Sequence, residues 1–105
     1  MNYFEEVMSE CGYTPMTSFW NDFSIADKFG IDAIKDMFNR AFEEWKNDVE
    51  YVTELVLVLN HKIWFWYETD EAKAKVYNDL WIRADAWCCE NFTGADADYY
   101  YNVTD

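Results

Sequence analysis

The sequence predicts an all-α fold, a small helical bundle, and two observations lead to it. Apolar residues recur at spacings of three and four along most of the chain, which is the period of core-facing helices. Only three Gly and one Pro interrupt 105 residues, so short links join the helices. A chain of this length is typical of one domain with its own core. We therefore predict a single helical domain over residues 1–105, with residues 95–105 as a loosely packed acidic tail.

The N-terminal third predicts short helices. Asn2–Cys11 is the first, with Asn2 as its cap. A turn is expected at residues 14–15, where Thr precedes Pro. The aromatic residues of Thr17–Phe29 are spaced for one or two helical turns that pack inward, and Ser24 is placed to start a second short helix. Gly30 ends this part of the chain.

Three longer helices follow, and their caps can be read from the sequence. Asp48 is placed to cap the second of them, and Thr69 or Asp70 the third. The link before the third is so short that these two helices must form an antiparallel hairpin. A β-strand is the competing interpretation for Val52–Leu59, but the helical period continues on both sides of it. The predicted ranges are Ile31 to about Asn47, Val49 to about Glu68 and Glu71 to about Asn91.

Charge restricts the classes of partner. The chain has 21 acidic and 8 basic residues, a net charge of −13, so nucleic acid and anionic membranes repel it and basic protein surfaces attract it. We expect no direct nucleic-acid binding and no membrane contact. The longest aliphatic run, Leu55–Leu59, is far too short to cross a bilayer. The N-terminus has the wrong charge for a signal peptide, and three cysteines form no disulfide framework, so we expect a reducing, cytoplasmic setting.

Chemistry-bearing residues are few and scattered. Nucleophilic catalysis needs a base beside the nucleophile, and the only histidine, His61, would have to meet Cys88 or Cys89 across the predicted hairpin. We interpret His61 as a surface residue, because Asn60 and Lys62 flank it, and expect at least one of the adjacent cysteines in the core. No spacing of Cys and His matches a zinc site. We therefore predict a binding protein that is not an enzyme and uses no metal or cofactor.

Acidic residues recur along the predicted solvent-facing side of the longer helices. Acids from Asp32 to Glu50 fall on successive turns, which predicts a stripe of negative charge. More acids gather around the turn between two helices, where only Lys46 offsets them. A solvated face that keeps the protein soluble is the competing interpretation. The acids that we predict to bind a partner are Asp32, Asp36, Glu43, Glu44, Asp48, Glu50 and Glu54.

Aromatic residues are frequent, with six Trp, eight Tyr and eight Phe. Trp64–Tyr67 are consecutive, and four neighbours sweep about 300° of a helix surface, so they cannot all face one core. The three consecutive tyrosines of the acidic tail, Tyr99–Tyr101, likewise cannot all face one core. Tyr and Trp dominate binding hot spots. A bundle with aromatic packing on both sides of a central helix is the competing interpretation. A second predicted partner-binding set is Trp64, Asp96, Asp98, Tyr99 and Tyr100.

Three stretches carry a resemblance to other sequences: Thr17–Lys35, Glu54–Trp64 and Tyr77–Phe92. Through them nearly the whole chain resembles small uncharacterised acidic proteins carried by phages and mobile elements of gut Firmicutes. Its size and charge are also similar to those of anti-CRISPR proteins, several of which imitate DNA. The resemblance implies action in the cytoplasm of a bacterial host cell, against a host defence. It transfers no catalytic or ligand-binding residue to this chain.

These observations predict an inhibitor that binds a basic, nucleic-acid-binding surface of a host defence protein as a DNA mimic, with carboxylates in place of phosphates. A type II (Cas9) effector is the first candidate partner, because its PAM-reading arginines and heteroduplex channel are basic. The alternative is a non-enzymatic adaptor or regulatory protein that forms a homodimer through Trp64–Tyr67. A third hypothesis, from another class, is a small enzyme that uses His61 with Cys88 or Cys89.

Overall fold

The structure is a computed structural model that describes residues 15–104, with side-chain surroundings from residue 18 onward. Within this range the chain forms five α-helices and no β-strand, which confirms the all-α prediction there. The predicted helix Asn2–Cys11 lies outside the described residues. The helices are α1 (Pro15–Phe29), α2 (Ile31–Trp45), α3 (Val49–Trp66), α4 (Glu71–Asn91) and α5 (Gly94–Thr104).

α1 is one helix of 15 residues rather than a series of short turns. Pro15, expected in a turn, occupies the first helical position, where the missing amide hydrogen costs nothing. Ser24 lies inside this helix and does not start a new one. Gly30 separates α1 from α2 with a φ of 114°, which residues with a Cβ rarely adopt. α1 is therefore as long as α2, and residues 15–104 contain four long helices instead of the three predicted for that range.

Local capping signals set the turns on either side of α3. The Asp48 carboxylate accepts a hydrogen bond from the amide of Tyr51 at 3.1 Å and caps α3. Asp70, and not Thr69, caps α4, because its carboxylate accepts a hydrogen bond from the amide of Lys73 at 3.1 Å. Residues 67–70 alone connect α3 to α4, so the two helices run antiparallel along each other.

α3 supplies the centre of the core. Its Val- and Leu-rich stretch, Val52–Leu59, is helical, so the strand alternative is wrong. The helical spacing of apolar residues, every three or four positions, decides the structure because it continues beyond that stretch and gives α3 a buried side against its neighbours. The buried apolar residues that the other helices contribute include Phe19, Trp20, Phe23, Ile34, Phe38, Phe42, Tyr77, Leu80, Ala84, Cys88 and Tyr100.

The C-terminal segment, which the sequence predicts as an acidic tail, forms a helix. α5 has 11 residues, and Tyr100 is only 1% exposed. The Tyr100 hydroxyl donates a short hydrogen bond to the Asp85 carboxylate of α4. Its ring also lies near Phe92, with 6.2 Å between ring centroids. One buried tyrosine thus anchors a helix whose other residues are mostly polar or exposed.

A buried ion pair lies where α1, α3 and α4 meet. Lys62 Nζ is 2.9 Å from Asp27 Oδ2, and the two side chains are only 1% and 6% exposed. The Trp66 indole N–H donates to the same oxygen at 3.1 Å, and the Tyr77 hydroxyl donates to Asp27 Oδ1. Ser24 accepts a second hydrogen bond from Lys62 at 2.8 Å. A buried pair is tolerated when its charged atoms have such additional partners.

Aromatic rings enclose the ammonium group of this pair. Lys62 Nζ lies 4.0 Å from the ring centroid of Trp20 and 5.0 Å from that of Phe65, within the range of cation–π attraction. Burial raises the pKa of the Tyr77 hydroxyl far above its ordinary value, and the Asp27 carboxylate raises it further. Tyr77 therefore stays protonated and remains a donor. The cluster ties three helices together through contacts distant in sequence.

Candidate partner-binding surfaces

The predicted acidic stripe is divided between two helices. Glu50 belongs to α3 rather than α2, so the acids from Asp32 to Glu50 do not follow one helix axis. Asp32 and Asp36 are exposed in the first turns of α2, roughly 10 to 17 Å along the axis from Glu43. Asp36 instead lines a groove between α1 and α2. The expectation of one continuous stripe is therefore corrected, because the turn before α3 redirects the chain.

The remaining acids surround the turn between α2 and α3. The rings of Trp45 and Tyr51 stack across this turn with 4.2 Å between their centroids. Lys46 is the only basic residue in the segment 43–54, and its Nζ lies 3.0 Å from the carboxylate of Glu43. Most of the negative charge of the turn is thus left without a local cation. The exposed acids are Glu43, Glu44, Asp48 and Glu50.

α5 brings a tyrosine to these acids. Burial raises the pKa of the Tyr99 hydroxyl, and the charges of nearby carboxylates raise it further. Those carboxylates belong to Glu50, Glu54 and Asp48. Two acidic segments that are far apart in sequence therefore meet at one place. We call this surface the acidic end, and it comprises Glu43, Glu44, Asp48, Glu50, Glu54 and Tyr99.

The three consecutive tyrosines of α5 have different surroundings. Tyr99 and Tyr101 are 36% and 48% exposed, whereas Tyr100 is buried. Neighbours on a helix point about 100° apart, so one residue of such a run faces the core. Tyr100 is therefore unable to reach a partner, which corrects its place among the predicted binding residues. Asp96 and Asp98 are exposed on the same helix and extend the acidic surface beside Tyr99.

The aromatic run Trp64–Tyr67 is also divided between core and solvent. Trp64 is 65% exposed and Tyr67 is 61% exposed, while Phe65 and Trp66 pack against the core. The prediction that these four residues cannot share one core is confirmed. The two exposed residues are three positions apart and lie on one side of α3, with 5.5 Å between their ring centroids.

Trp64 and Tyr67 form one side of an open groove of about 690 Å³ between α3 and α4. The rest of the lining includes three charged residues of the link and of α4, Glu68, Glu71 and Lys75, together with Ile63, Ala74 and Asn78. We call this surface the α3–α4 groove. The sequence pointed to its aromatic side but not to its charged side, because the charged residues come from beyond the turn. The available signal was the polar spacing of Glu71 and Lys75 on α4, which faces away from the apolar stripe.

His61 and the cysteines lie at opposite ends of the hairpin. His61 is near the turn that joins α3 to α4, whereas Cys88 lies roughly 18 Å further along the hairpin. The approach that the small-enzyme hypothesis requires is therefore absent. His61 is half-buried rather than on the surface, and burial lowers the pKa of its imidazole. Cys88 is buried and Cys89 exposed, which confirms that at least one of the pair is in the core.

Across residues 15–104, no three Cys, His, Asp or Glu side chains are arranged to hold a metal ion. Each helix of that range is too short or too polar to span a membrane. Comparison with known proteins adds no assignment: no protein-family model, no curated protein and no solved structure matches this chain.

Proposed function

We propose that this protein is a non-enzymatic inhibitor that binds a basic, nucleic-acid-binding surface of a host defence protein in place of DNA. The observation that carries this proposal is the packing of α5 against α3, which brings the exposed Tyr99 near the acids at the start of α3. A single exposed acidic residue would not imitate a nucleic acid. A surface on which several carboxylates surround an aromatic ring has the charge of a phosphate backbone and an apolar contact beside it.

The physical basis is ion pairing with arginine and lysine. Carboxylates accept charge-assisted hydrogen bonds from guanidinium and ammonium groups, as phosphates do. Lys46 is the only basic residue beside the four exposed acids of residues 43–50, and it pairs with Glu43, so the acidic end presents net negative charge to a partner. Tyr99 supplies a ring that excludes water from the contact and slows dissociation. Affinity for a basic groove is expected to fall steeply as salt rises.

A Cas9-type effector in the cytoplasm of a bacterial host is the first partner to test, because its DNA channel is strongly basic. The experiment measures DNA binding and cleavage by a Cas9–guide RNA complex, with this protein added before the target DNA or after it. Inhibition only when the protein is added first, and weaker inhibition at higher salt, supports competition for the DNA site. Inhibition that is equal in both orders and insensitive to salt contradicts it.

A charge-matched pair of variants locates the surface. The test variant changes three exposed acids of the acidic end to glutamine: Glu43, Glu44 and Glu50. Glu54 is kept because one of its carboxylate oxygens is buried. The control variant removes the same charge elsewhere, by changing Asp22 and Asp79 to asparagine and Glu90 to glutamine. Loss of inhibition in the first variant alone supports the acidic end, and equal loss in both would reduce the effect to net charge.

A second candidate function is a self-associating adaptor or regulatory protein, and the exposure of Trp64 and Tyr67 favours it. The test is sedimentation equilibrium of the whole protein at low and high salt. A dimer that persists at high salt and dissociates in the Trp64→Ala/Tyr67→Ala variant supports this candidate. Trp66 is left unchanged because its indole N–H is bonded to the buried Asp27. A monomer at all concentrations excludes it.

A further inference from the structure

The α3–α4 groove joins an exposed aromatic pair to charged residues on its opposite side. Trp64 and Tyr67 are both more than half exposed, and each offers ring surface to the groove. The carboxylates of Glu68 and Glu71 also line the groove, and Lys75 is its one positively charged lining residue. The groove therefore combines apolar area with an excess of one negative charge, a combination that suits a cationic side chain.

The same chain already holds cations on two of its other indole rings. Lys62 Nζ lies 4.0 Å from the Trp20 ring centroid, and Lys73 Nζ lies 4.4 Å from that of Trp66. Among residues 15–104, no lysine or arginine lies over the ring of Trp64. Trp gives the strongest cation–π attraction of the aromatic side chains. Trp64 thus offers to a partner the contact that Trp20 and Trp66 make internally.

Charge decides between a second copy of this chain and a basic partner. In a symmetric dimer through this groove, both copies contribute the same residues to one interface. Glu68 and Glu71 of both copies would then crowd together with only Lys75 from each to offset them. Two chains that each carry a net charge of −13 would add long-range repulsion. A basic partner meets neither cost, so the groove fits it better than it fits a second copy.

We infer that the α3–α4 groove binds an arginine side chain of a basic protein segment. The guanidinium stacks on the Trp64 indole, and its N–H groups donate to the carboxylate of Glu68 or Glu71. Arginine suits this site better than lysine because its planar group stacks and forms two parallel hydrogen bonds. The inference rests on the proposed function for the identity of the partner, since both require a basic protein.

The groove and the acidic end are separate contacts. Glu50 and Trp64 lie at opposite ends of α3, about 21 Å apart along its axis. A partner with basic residues at both places would be held at two points, which raises the overall affinity beyond that of either contact. The acidic end would supply the electrostatic attraction, and the groove would supply the oriented, partly apolar contact.

The test uses the whole protein and a short synthetic peptide with two arginines, capped at both ends. The control peptide carries citrulline in place of arginine, which has a similar shape but no charge. The readout is the indole N–H signal of Trp64 in a two-dimensional NMR spectrum of ¹⁵N-labelled protein, assigned with the Trp64→Phe variant. The expected result is a saturable shift of that signal with the arginine peptide and no shift with the citrulline peptide.

Matched variants then test the carboxylates. The Glu68→Gln/Glu71→Gln variant is expected to weaken arginine-peptide binding at the groove roughly threefold or more, the size of two partly exposed charge pairs. The Asp22→Asn/Glu90→Gln variant removes the same charge outside the groove and is expected to keep the affinity. Equal weakening in both variants would overturn the inference in favour of non-specific attraction.

The remaining outcomes are also decisive. A Trp64 indole signal that does not move with the arginine peptide overturns the inference. A signal that moves with protein concentration alone, without peptide, shows a second copy in the groove and also overturns it. Peptide binding at Trp64 by a protein that does not inhibit the Cas9–guide complex supports the groove while it contradicts the proposed function. The two proposals can therefore fail separately.

Discussion

The molecule keeps its carboxylates in two contrasting settings. Asp27 is buried and receives hydrogen bonds from Lys62, Trp66 and Tyr77, so its charge is used entirely within the fold. At the acidic end, Glu44 and Glu50 are exposed, and only Lys46 lies near them in the chain. The comparison teaches that burial, rather than residue type, separates an acid that holds the bundle together from one that is left for a partner.

The largest test of this comparison is the removal of the buried charge. Asp27→Asn leaves the ammonium of Lys62 buried without a counter-charge, because Lys62 is only 1% exposed. Loss of one partner of a buried pair costs about 3–5 kcal/mol. We expect a fall of this size in the free energy of unfolding, measured by urea denaturation with circular dichroism.

A double variant shows that the cost comes from the unpaired charge. Asp27→Asn combined with Lys62→Met removes both charges and is expected to recover part of the lost stability. A double variant that is less stable than Asp27→Asn alone would mean that the pair contributes through its attraction. Glu43→Gln provides the surface comparison, since it breaks an exposed pair with Lys46 and should cost less than about 1 kcal/mol.

Tyr77 tests the same cluster at a smaller scale. Tyr77→Phe removes the hydroxyl that donates to Asp27 and leaves the ring in place. The loss of one of several donors to this buried carboxylate is expected to lower the free energy of unfolding by about 1–3 kcal/mol. Tyr51→Phe removes the hydroxyl of a partly exposed ring and is the control, with little change expected. Equal effects in the two variants would show that the hydrogen bond from Tyr77 to Asp27 does not stabilise the fold.

The fold could be predicted where its signals are local. Asp48 and Asp70 cap helices through amides three residues away, and such spacing is visible in a sequence. The Asp27–Lys62 pair joins residues 35 positions apart, so no local pattern reveals it. Lys62 itself supported the interpretation of its neighbour His61 as a surface residue. One signal was present, since Lys62 is three residues after Leu59 and four before Trp66, on the buried side of α3. A charged residue within the apolar side of one helix indicates that an opposite charge lies on the apolar side of another helix.

The candidate surfaces were predictable only in part, for the same reason. The acids around Asp48 and the exposure of Trp64 follow from neighbouring residues and helical spacing. The place of Tyr99 beside Glu50 depends on how α5 crosses α3, which no local pattern states. The burial of Tyr100 depends on the same crossing. Tertiary packing therefore determines which of the predicted partner-binding residues share a surface.

The buried thiol adds a pH test of the interior. Burial, together with the charge of Asp85, raises the pKa of Cys88 from its ordinary value of 9.0 to about 12. Below pH 9.0 the thiol is protonated in both states and stability is unaffected. Between pH 9.0 and about 12 the unfolded chain releases a proton that the folded chain retains. Stability is therefore expected to fall with rising pH, by at most about 1.4 kcal/mol per pH unit for this one group.

The Cys88→Ala variant separates the thiol from the buried tyrosines, which titrate over the same pH range in the unfolded chain only. Urea denaturation at a series of pH values should give a smaller slope for this variant than for the unchanged protein. Val58→Ala also creates a cavity at a fully buried position but removes no titrating group, so it should lower stability without changing the slope. A Cys88→Ala slope equal to that of the unchanged protein contradicts the assignment.

The smallest effect has the opposite sign and completes the comparison. Glu44 is exposed in the last turn of α2, which holds no basic residue, and a carboxylate there is repelled by the negative end of the helix dipole. Glu44→Gln is expected to raise the free energy of unfolding by about 0.3–1 kcal/mol. Asp32→Asn removes an exposed acid from the first turn of the same helix, where the dipole favours it, and should lower stability by a similar amount. Shifts in the same direction would contradict this account. Opposite shifts would mean that Glu44 is kept at a cost to the fold, as expected of an acid that serves a partner.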